Sequence, residues 1–337
     1  MRHIQINDYR EDPAVRELLT LAADPVDEPA LQGLFDHCAG LLVLACFDED
    51  EQVIALAAYR HSDAYALCVE YLAVLPGHRQ QGMASRLMNE LRASYRKAVW
   101  ATTDDDAIEF YRAIGCVISD SAADPRWPGT QRYLCTLPHL ALLREQPTED
   151  PRYEEVDGAL SRGLVTIVEP QARWGKDFAD IRQVIAAALG ASALAIEHNG
   201  STSVPGLPAK PIIDVTLIVS DADDEDRYVP QLRAAGLVFW HREPGWYAHR
   251  MFKPGAESQL VEANIHIFNP GSPEYLRMML FRDHLRTDAA DRAAYAAVKR
   301  QAAAALAASD GENGLVMDYN RTKEPFILAL HKDLFGA

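Results

Sequence analysis

The chain has 337 residues, enough for two domains of ordinary size. It is 48% apolar and 24% charged, a globular composition that excludes a disordered or fibrous protein. Its 33 Lys and Arg face 49 Asp and Glu, a net charge of -16 shared by both halves; this argues against a nucleic-acid partner and suits a cationic small molecule.

The longest clean apolar run, 41–47, is too short to cross a bilayer. The first residues lack the apolar core of a signal peptide. The five cysteines (Cys38, Cys46, Cys68, Cys116 and Cys135) are odd in number and scattered, and none forms a Cys-x-x-Cys pair. Together these features point to a cytoplasmic, disulfide-free protein with no membrane partner.

Helical patterns cover 12–38. Strand patterns follow at 41–47, 52–60 and 65–74, with the acidic run from Asp48 to Glu51 as a solvated hairpin turn. A helix is predicted over 80–96, a strand over 98–103, a helix over 105–114, and strands near 116–119 and 131–136. Interleaved strands and helices imply an α/β layer around one sheet. Residues 145–163 are polar and acidic and include Pro147 and Pro151, the composition of a linker. Domains are therefore predicted at 1–144 and 164–337. The second opens with a strand at 164–168. A helix follows with Trp174, Phe178, Ile181, Ile185 and Leu189 on one stripe, and the alanine-rich stretch 302–308 reads as helix.

The most informative stretch of the first half is a strand ending Leu72-Ala73-Val74, a Pro76-Gly77 turn, and a helix beginning Arg79-Gln80-Gln81-Gly82-Met83-Ala84-Ser85. The first N–H groups of a helix lack internal partners, and its dipole favours anions there. Small residues let a phosphate reach the bare backbone, and Arg79 adds charge. Downstream, Asp104, Asp105 and Asp106 suit a helix start, Gly115 suits its stop, and Phe110 and Tyr111 point to different sides.

The turn Arg79-x-x-Gly82-x-Ala84 and the helix Ala107…Phe110-Tyr111…Gly115, in this order, resemble the GNAT acetyltransferase superfamily over about residues 1–140. Two departures are Ala84, where many members have a second glycine, and Cys116, where an aromatic is usual. The resemblance implies acetyl transfer from acetyl-CoA to an amine. Residues Arg79, Gln80, Gln81, Gly82, Met83, Ala84 and Ser85 would hold the CoA pyrophosphate, and the backbone of Leu72, Ala73 and Val74 would pair with the pantetheine arm. The departing thiolate needs a proton, for which Tyr111 is the candidate acid. Glu70, alternating with Leu72 and Val74 among apolar neighbours, is expected to have a raised pKa. It would serve as base through a water or grip the cationic amine. Acceptor specificity is expected around 12–38 and 120–130.

In the second half, Gly200-Ser201-Thr202 offers bare N–H groups and hydroxyls, with Lys210 beside it. Ile212, Asp214 and Thr216 share a strand face. A strand over 260–267 puts Glu262, Asn264 and His266 on one face, positioned to look across a cleft at Asp214. The runs Glu197-His198-x-Gly-Ser-Thr-x-Val-Pro-Gly206 and Ala209-Lys-Pro-Ile-Ile-Asp214 resemble the GrpB-like family of the nucleotidyltransferase superfamily. So do Arg250-x-Phe252, Phe281-Arg-Asp-x-Leu-Arg286 and Tyr319…Lys323…Phe326. The resemblance implies a nucleotidyltransferase-like mixed sheet, with Gly200-Ser201 holding phosphate and Asp214 as the acidic position. Nucleotidyl transfer needs several carboxylates around Mg²⁺. Thr216 stands two residues after Asp214, so the metal candidates are Glu197, Asp214 and Glu262, with His266 beside them. Lys210, Arg250, Arg282, Arg286 and Lys323 would bind a phosphorylated ligand without reacting it.

The resulting expectation is a two-domain α/β (α+β) protein with a GNAT-type mixed sheet followed by a nucleotidyltransferase-like mixed sheet. It would be an acetyl-CoA-dependent N-acetyltransferase for a small cationic amine, fused to a GrpB-like domain for a nucleotide or phosphorylated ligand, with a divalent metal as an added option. Two alternatives stay open: a bifunctional acetyl/nucleotidyltransferase acting on an antibiotic-like polyamine, and a ligand-sensing module on a protein acetyltransferase. Quaternary state, homo-oligomers included, is equally open.

Overall fold

Asp12 and Asp27 each close the start of a helix whose first turn carries a proline; Asp12 accepts from the N–H of Ala14 (2.9 Å) and Asp27 from that of Ala30 (2.8 Å). The structure, a computed structural model, describes residues 1–121, 129–145, 152–158, 165–309 and 316–336. The chain divides into two compact units. One comprises Met1–Cys116 with Cys135–His139, the other Val117–Leu134 with Leu140–Ala337.

The first unit contains β1 (Arg2–Ile4), α1 (Pro13–Ala23), α2 (Glu28–Cys38), β2 (Leu42–Phe47), β3 (Val53–His61) and β4 (Ala66–Val74). It continues with α3 (Met83–Tyr95), β5 (Ala98–Thr103) and α4 (Ile108–Ala113). β6 (Val117–Asp120) counts with the second unit, and β7 (Tyr133–Leu137) ends mostly in the first. The sheet runs in the order β1-β2-β3-β4-β5-β7 and is mixed: β1 to β4 are antiparallel neighbours, whereas β4 and β5 are parallel. Val15, Leu18, Leu19 and Phe35 from the two leading helices are fully buried in a core with Val43, Ala45, Leu56 and Ala58. All five cysteines are free thiols.

Helix boundaries differ from the sequence reading for local reasons. α3 begins at Met83, not 80, because Gln80 (φ 59°) and Gly82 (φ 76°) are left-handed. The Asp104–Asp106 run makes its own turn, Asp106 N–H to Asp104 Oδ1 at 3.2 Å, and contributes no cap; α4 starts after Ala107. Its stop is as read. Gly115 (φ 87°) donates to Arg112 O and Cys116 to Tyr111 O, both 3.0 Å, closing the last carbonyls in a Schellman motif.

The second unit holds α5 (Leu140–Arg144), β8 (Glu154–Glu155), α6 (Trp174–Leu189), β9 (Ala195–Asn199), β10 (Ile213–Ile218), α7 (Val229–Ala234), β11 (Leu237–Glu243) and β12 (His249–Pro254). It ends with β13 (Ala263–Phe268), α8 (Pro273–Thr287), α9 (Ala289–Ser309) and α10 (Val316–Phe335). Its sheet runs β8-β11-β12-β13-β10-β9 and is also mixed, β10 and β13 being parallel. Ile213, Val215 and Leu217 alternate into the core against the α6 stripe of Trp174, Ile181 and Ile185. Each such buried side chain contributes about 1.5–3 kcal/mol.

Three readings change here. The strand read at 164–168 is one isolated bridge, Val168 to Ala209, because Pro170 has no N–H to extend the pairing; residue 164 lies outside the described residues. The strand read at 260–267 starts only at Ala263. Within the segment read as a linker, Glu154–Glu155 pairs with β11, while residues 146–151 and 159–163 lie outside the described residues, as do 122–128 of the expected acceptor region.

Candidate functional site

In the first unit, an extra residue in β4 shapes the site. Ala58 pairs with Tyr71 and Tyr59 with Val69, so Glu70 is a bulge. Bulges bend a strand. β4 pairs with β5 only from Ala66–Ala98 to Cys68–Trp100. From residue 69 to Val74 the backbone groups that point away from β3 face no β5 partner. Leu72, Ala73 and Val74 lie on this open edge. At its end the chain turns into α3, whose N-cap Gly82 supplies no side chain, so the first N–H groups of α3 lack a side-chain cap.

Gln80 and Gly82 alternate in the left-handed region with their neighbours, which curves successive N–H groups into a concave nest. A Cβ at Gly82 would meet nothing within 4 Å, so the glycine is required by its φ rather than by close packing. Arg79 reaches back with Nε to Val74 O (3.2 Å) and Gln81 to Gly77 O (3.2 Å), bracing the turn. Met83, Ala84 and Ser85 are partly exposed at the helix start. The predicted pyrophosphate cradle and the predicted pantetheine edge are thus brought together.

Tyr111 is buried in α4 (6% exposed), edge-on to Phe110 with ring centroids 4.9 Å apart. Glu70 corrects the sequence reading. Burial pushes its carboxyl up, but hydrogen bonds from His37 Nε2 (2.7 Å) and Arg60 Nε (2.6 Å), and Arg60's charge, hold it below the usual range. A base with a raised pKa is not what this carboxylate is. His37 lies on α2 and is half-exposed, so its contact with Glu70 could not be read from a strand pattern.

In the second unit, Gly200 (φ 62°) sits on the strand-end aspartate: a Cβ there would lie 2.2 Å from Asp214 Oδ2. The bare cradle read at Gly200-Ser201-Thr202 is only partly open. Gly200 N–H donates to Asn199 Oδ1 (2.8 Å), and buried Thr202 pairs its hydroxyl with His198 Nε2 (3.0 Å). Asn264 does not look across a cleft. It is Asp214's neighbour on the adjacent parallel strand, and its Nδ2 donates to Asp214 Oδ1 at 2.9 Å. His266 Nε2 lies 4.0 Å from the same oxygen, and its Nδ1 meets His249 Nε2 at 3.0 Å. Burial raises the Asp214 pKa despite Asn264 and the charges of Lys210, Lys323 and Lys299.

Other sequence candidates are engaged elsewhere. Arg250 is buried (4% exposed) and spends its guanidinium on Glu225 (2.9 Å), Asp223 (2.8 Å) and Ala248 O (2.8 Å), because β12 runs beside the acidic 223–225 loop. Arg282 bonds Glu197 (2.8 Å) and Asp283 (2.7 Å), and Arg286 bonds Ser203 O. Glu197 is therefore taken, and Glu262 is exposed. The predicted metal set of Glu197, Asp214 and Glu262 does not converge. Among the described residues, the ligand-type clusters are instead His241–Glu243–His249 and His284–Asp288–Asp291.

One residue was missed. Lys299 on α9 is 2% exposed, and its Nζ donates to Pro208 O and lies 5.5 Å from the Tyr295 ring. A signal existed: Tyr295-x-x-x-Lys299 and Tyr319-x-x-x-Lys323 repeat one pair at the spacing that puts both side chains on one helix face. Lys323 Nζ is 4.3 Å from the Tyr319 ring and Lys210 Nζ 5.3 Å. Tyr295 bonds Ser201 through its hydroxyl.

Comparison with known proteins matches both halves. Residues 164–333 fit the family described as GrpB protein, and residues 7–116 fit the Acetyltransferase (GNAT) family. A UPF0157 protein of Halalkalibacterium halodurans is 45% identical over 160 residues, 47% of this chain and 80% of that protein. The mycothiol acetyltransferase of Kocuria rhizophila is 32% identical over 114 residues, 31% of this chain and 38% of that protein. The crystal structure of conserved protein GrpB from Enterococcus faecalis has 30% identity and a TM-score of 0.43, covering 50% of this chain and 97% of that one. The chain belongs to the GrpB family through its second half and carries a GNAT acetyltransferase-family domain in its first.

Proposed function

We propose that the chain is an acetyl-CoA-dependent N-acetyltransferase for a small cationic amine, with a second domain that binds a nucleotide or another phosphorylated ligand. The observation that carries this reading is the open β4 edge running into the uncapped, left-handed start of α3. This chain's residues fit CoA: a strand edge for an extended amide arm, then N–H groups at a helix terminus for a pyrophosphate. Acetyl-CoA, when bound, supplies the activated acetyl thioester.

The residues around it bind, orient and move protons. β4 residues Leu72 to Val74 hold the arm as an added strand would. Tyr111 Oη delivers a proton to the departing sulfur. His37, held through Nε2 by Glu70, takes at Nδ1 the proton that the amine loses, and the Glu70 carboxylate keeps the imidazole in place. The chain's net charge of -16 draws a cationic acceptor toward it.

In the second domain, Gly200, Ser201 and Asp214 stand together with the lysines, which supports ligand binding. Nucleotidyl transfer is not part of the proposal, since Glu197 is tied to Arg282 and Thr216 replaces a second strand carboxylate. The test is mass spectrometry of an amine panel, polyamines and aminoglycosides included, incubated with the protein and acetyl-CoA. An acetylated amine supports the reading and names the acceptor. No acetylated product across small amines and lysine-rich peptides would refute it.

A further inference from the structure

The charges of three lysines of the second domain act on one carboxylate, and two of them lie over the same Tyr319 ring. Lys210 precedes β10, Lys299 lies on α9 and Lys323 on α10, so three separate elements bring them to Asp214. Among the described residues none of the three forms an ion pair with a carboxylate, although the domain's arginines 250, 282 and 286 all do. The aromatic faces of Tyr295 and Tyr319 flank the ammonium groups. We propose that Lys210, Lys299 and Lys323 form a site for the phosphoryl group of a phosphorylated small molecule, held without a divalent metal.

The inference rests on the reading of the second domain as a phosphorylated-ligand module and states how the anion is held. With Lys253 beside them, the three ammonium groups face the carboxylates of Asp214 and Glu262, which leaves about two positive charges for a phosphate dianion to match. Burial and mutual repulsion lower Lys299 to about 7 and Lys323 to about 8, and burial lowers Lys210 despite Asp214. The ligand-free domain thus holds these groups against their preference, and a bound anion restores their charge.

The metal is replaced for a structural reason. Mg²⁺ needs carboxylate oxygens, and the polar neighbours of Asp214 offer none. Thr216 Oγ1 accepts from Asn199 (3.1 Å), Glu197 pairs with Arg282, and Asn264 occupies Asp214 Oδ1. Gly200, Ser201 and Tyr295 also line a cavity of about 200 Å³ whose other walls include Met278, Phe281 and Ile327 together with Glu274, Arg282 and His331, while the three lysines lie outside its lining.

The probe is inorganic phosphate, added to the full chain and followed by titration and scanning calorimetry, once with EDTA and once with Mg²⁺. The expected result is an affinity equal within about threefold in both buffers. It should persist in Gly82→Val, which disables the first domain's cradle. It should fall at least about tenfold in Lys299→Met and Lys323→Met and be largely kept in Lys323→Arg. The Met variants relieve buried charge, so their folding is not at risk from the change in electrostatics. Binding that requires Mg²⁺ overturns the proposal. Binding lost in Gly82→Val but kept in the lysine variants places the anion in the first domain and overturns it too, as does no binding at all. Amine acetylation is measured in parallel, so failure of the acetyltransferase reading is separately visible.

Discussion

Lys299→Met tests the electrostatics of the second domain directly. The Lys299 side chain is 2% exposed and its pKa falls from 10.5 to about 7 through burial, then through Lys323 and Lys210, partly offset by Asp214. At about pH 6 the folded state therefore holds the ammonium at a cost of about 4–5 kcal/mol relative to the unfolded chain. At about pH 9 the folded lysine is neutral and the remaining cost is about 2 kcal/mol. Between the two pKa values the unfolded chain binds the extra proton, so wild-type stability rises with pH across about 7 to 10.5. Methionine has no such titration. Its advantage over lysine should shrink by about 2–3 kcal/mol from about pH 6 to about pH 9. The lost hydrogen bond to Pro208 O is an offset that does not vary with pH. By scanning calorimetry the transition moved by the substitution should lose about 5–10 °C of its gain over that range. A pH-independent difference would refute the claim that this ammonium is buried without a compensating anion.

Further outcomes test the two sites. Tyr111→Phe should lower kcat about 100-fold while leaving the acetyl-CoA Kd unchanged; an unaltered rate removes the acid role. Gly82→Val forces a β-branched residue to a φ of 76°, costing about 1–2 kcal/mol, and should raise the acetyl-CoA Kd at least about tenfold by calorimetry. Arg250→Met takes one of Glu225's two arginine partners, Arg242 at 2.6 Å being the other, and leaves the largely exposed Asp223 without its ion pair; the protein should lose about 1–2 kcal/mol while amine acetylation is unchanged. Equal stability would mean that Arg250 is free for a ligand after all.

Much of the molecule was legible from local chemistry. Glycine at residue 115 and the stripe of Trp174, Ile181, Ile185 and Leu189 each act over a few residues, and the structure keeps both. The turn proposed to hold CoA was legible for the same reason: a strand end, a Pro-Gly turn and a helix start are contiguous in the chain, while the left-handed φ of Gly82 came with the fold. Its partner feature was not. The bulge at Glu70 that parts β4 from β5 exists only in the pairing of β4 with β3.

Charge was the least legible property. Glu70 reads as a carboxylate among apolar neighbours, and only tertiary folding brings His37 and Arg60, 33 and 10 residues away, to hold it ionised. Arg250 and Lys323 look alike in sequence as candidate anion binders. Folding gives Arg250 two carboxylates in direct ion pairs and leaves Lys323 over an aromatic ring, sharing the charge of Asp214 with two other lysines. Elements arise from spacing along the chain, which the sequence displays. The electrostatic state of a side chain depends on burial and on charges from distant elements, and those are set only when the sheets and helices pack.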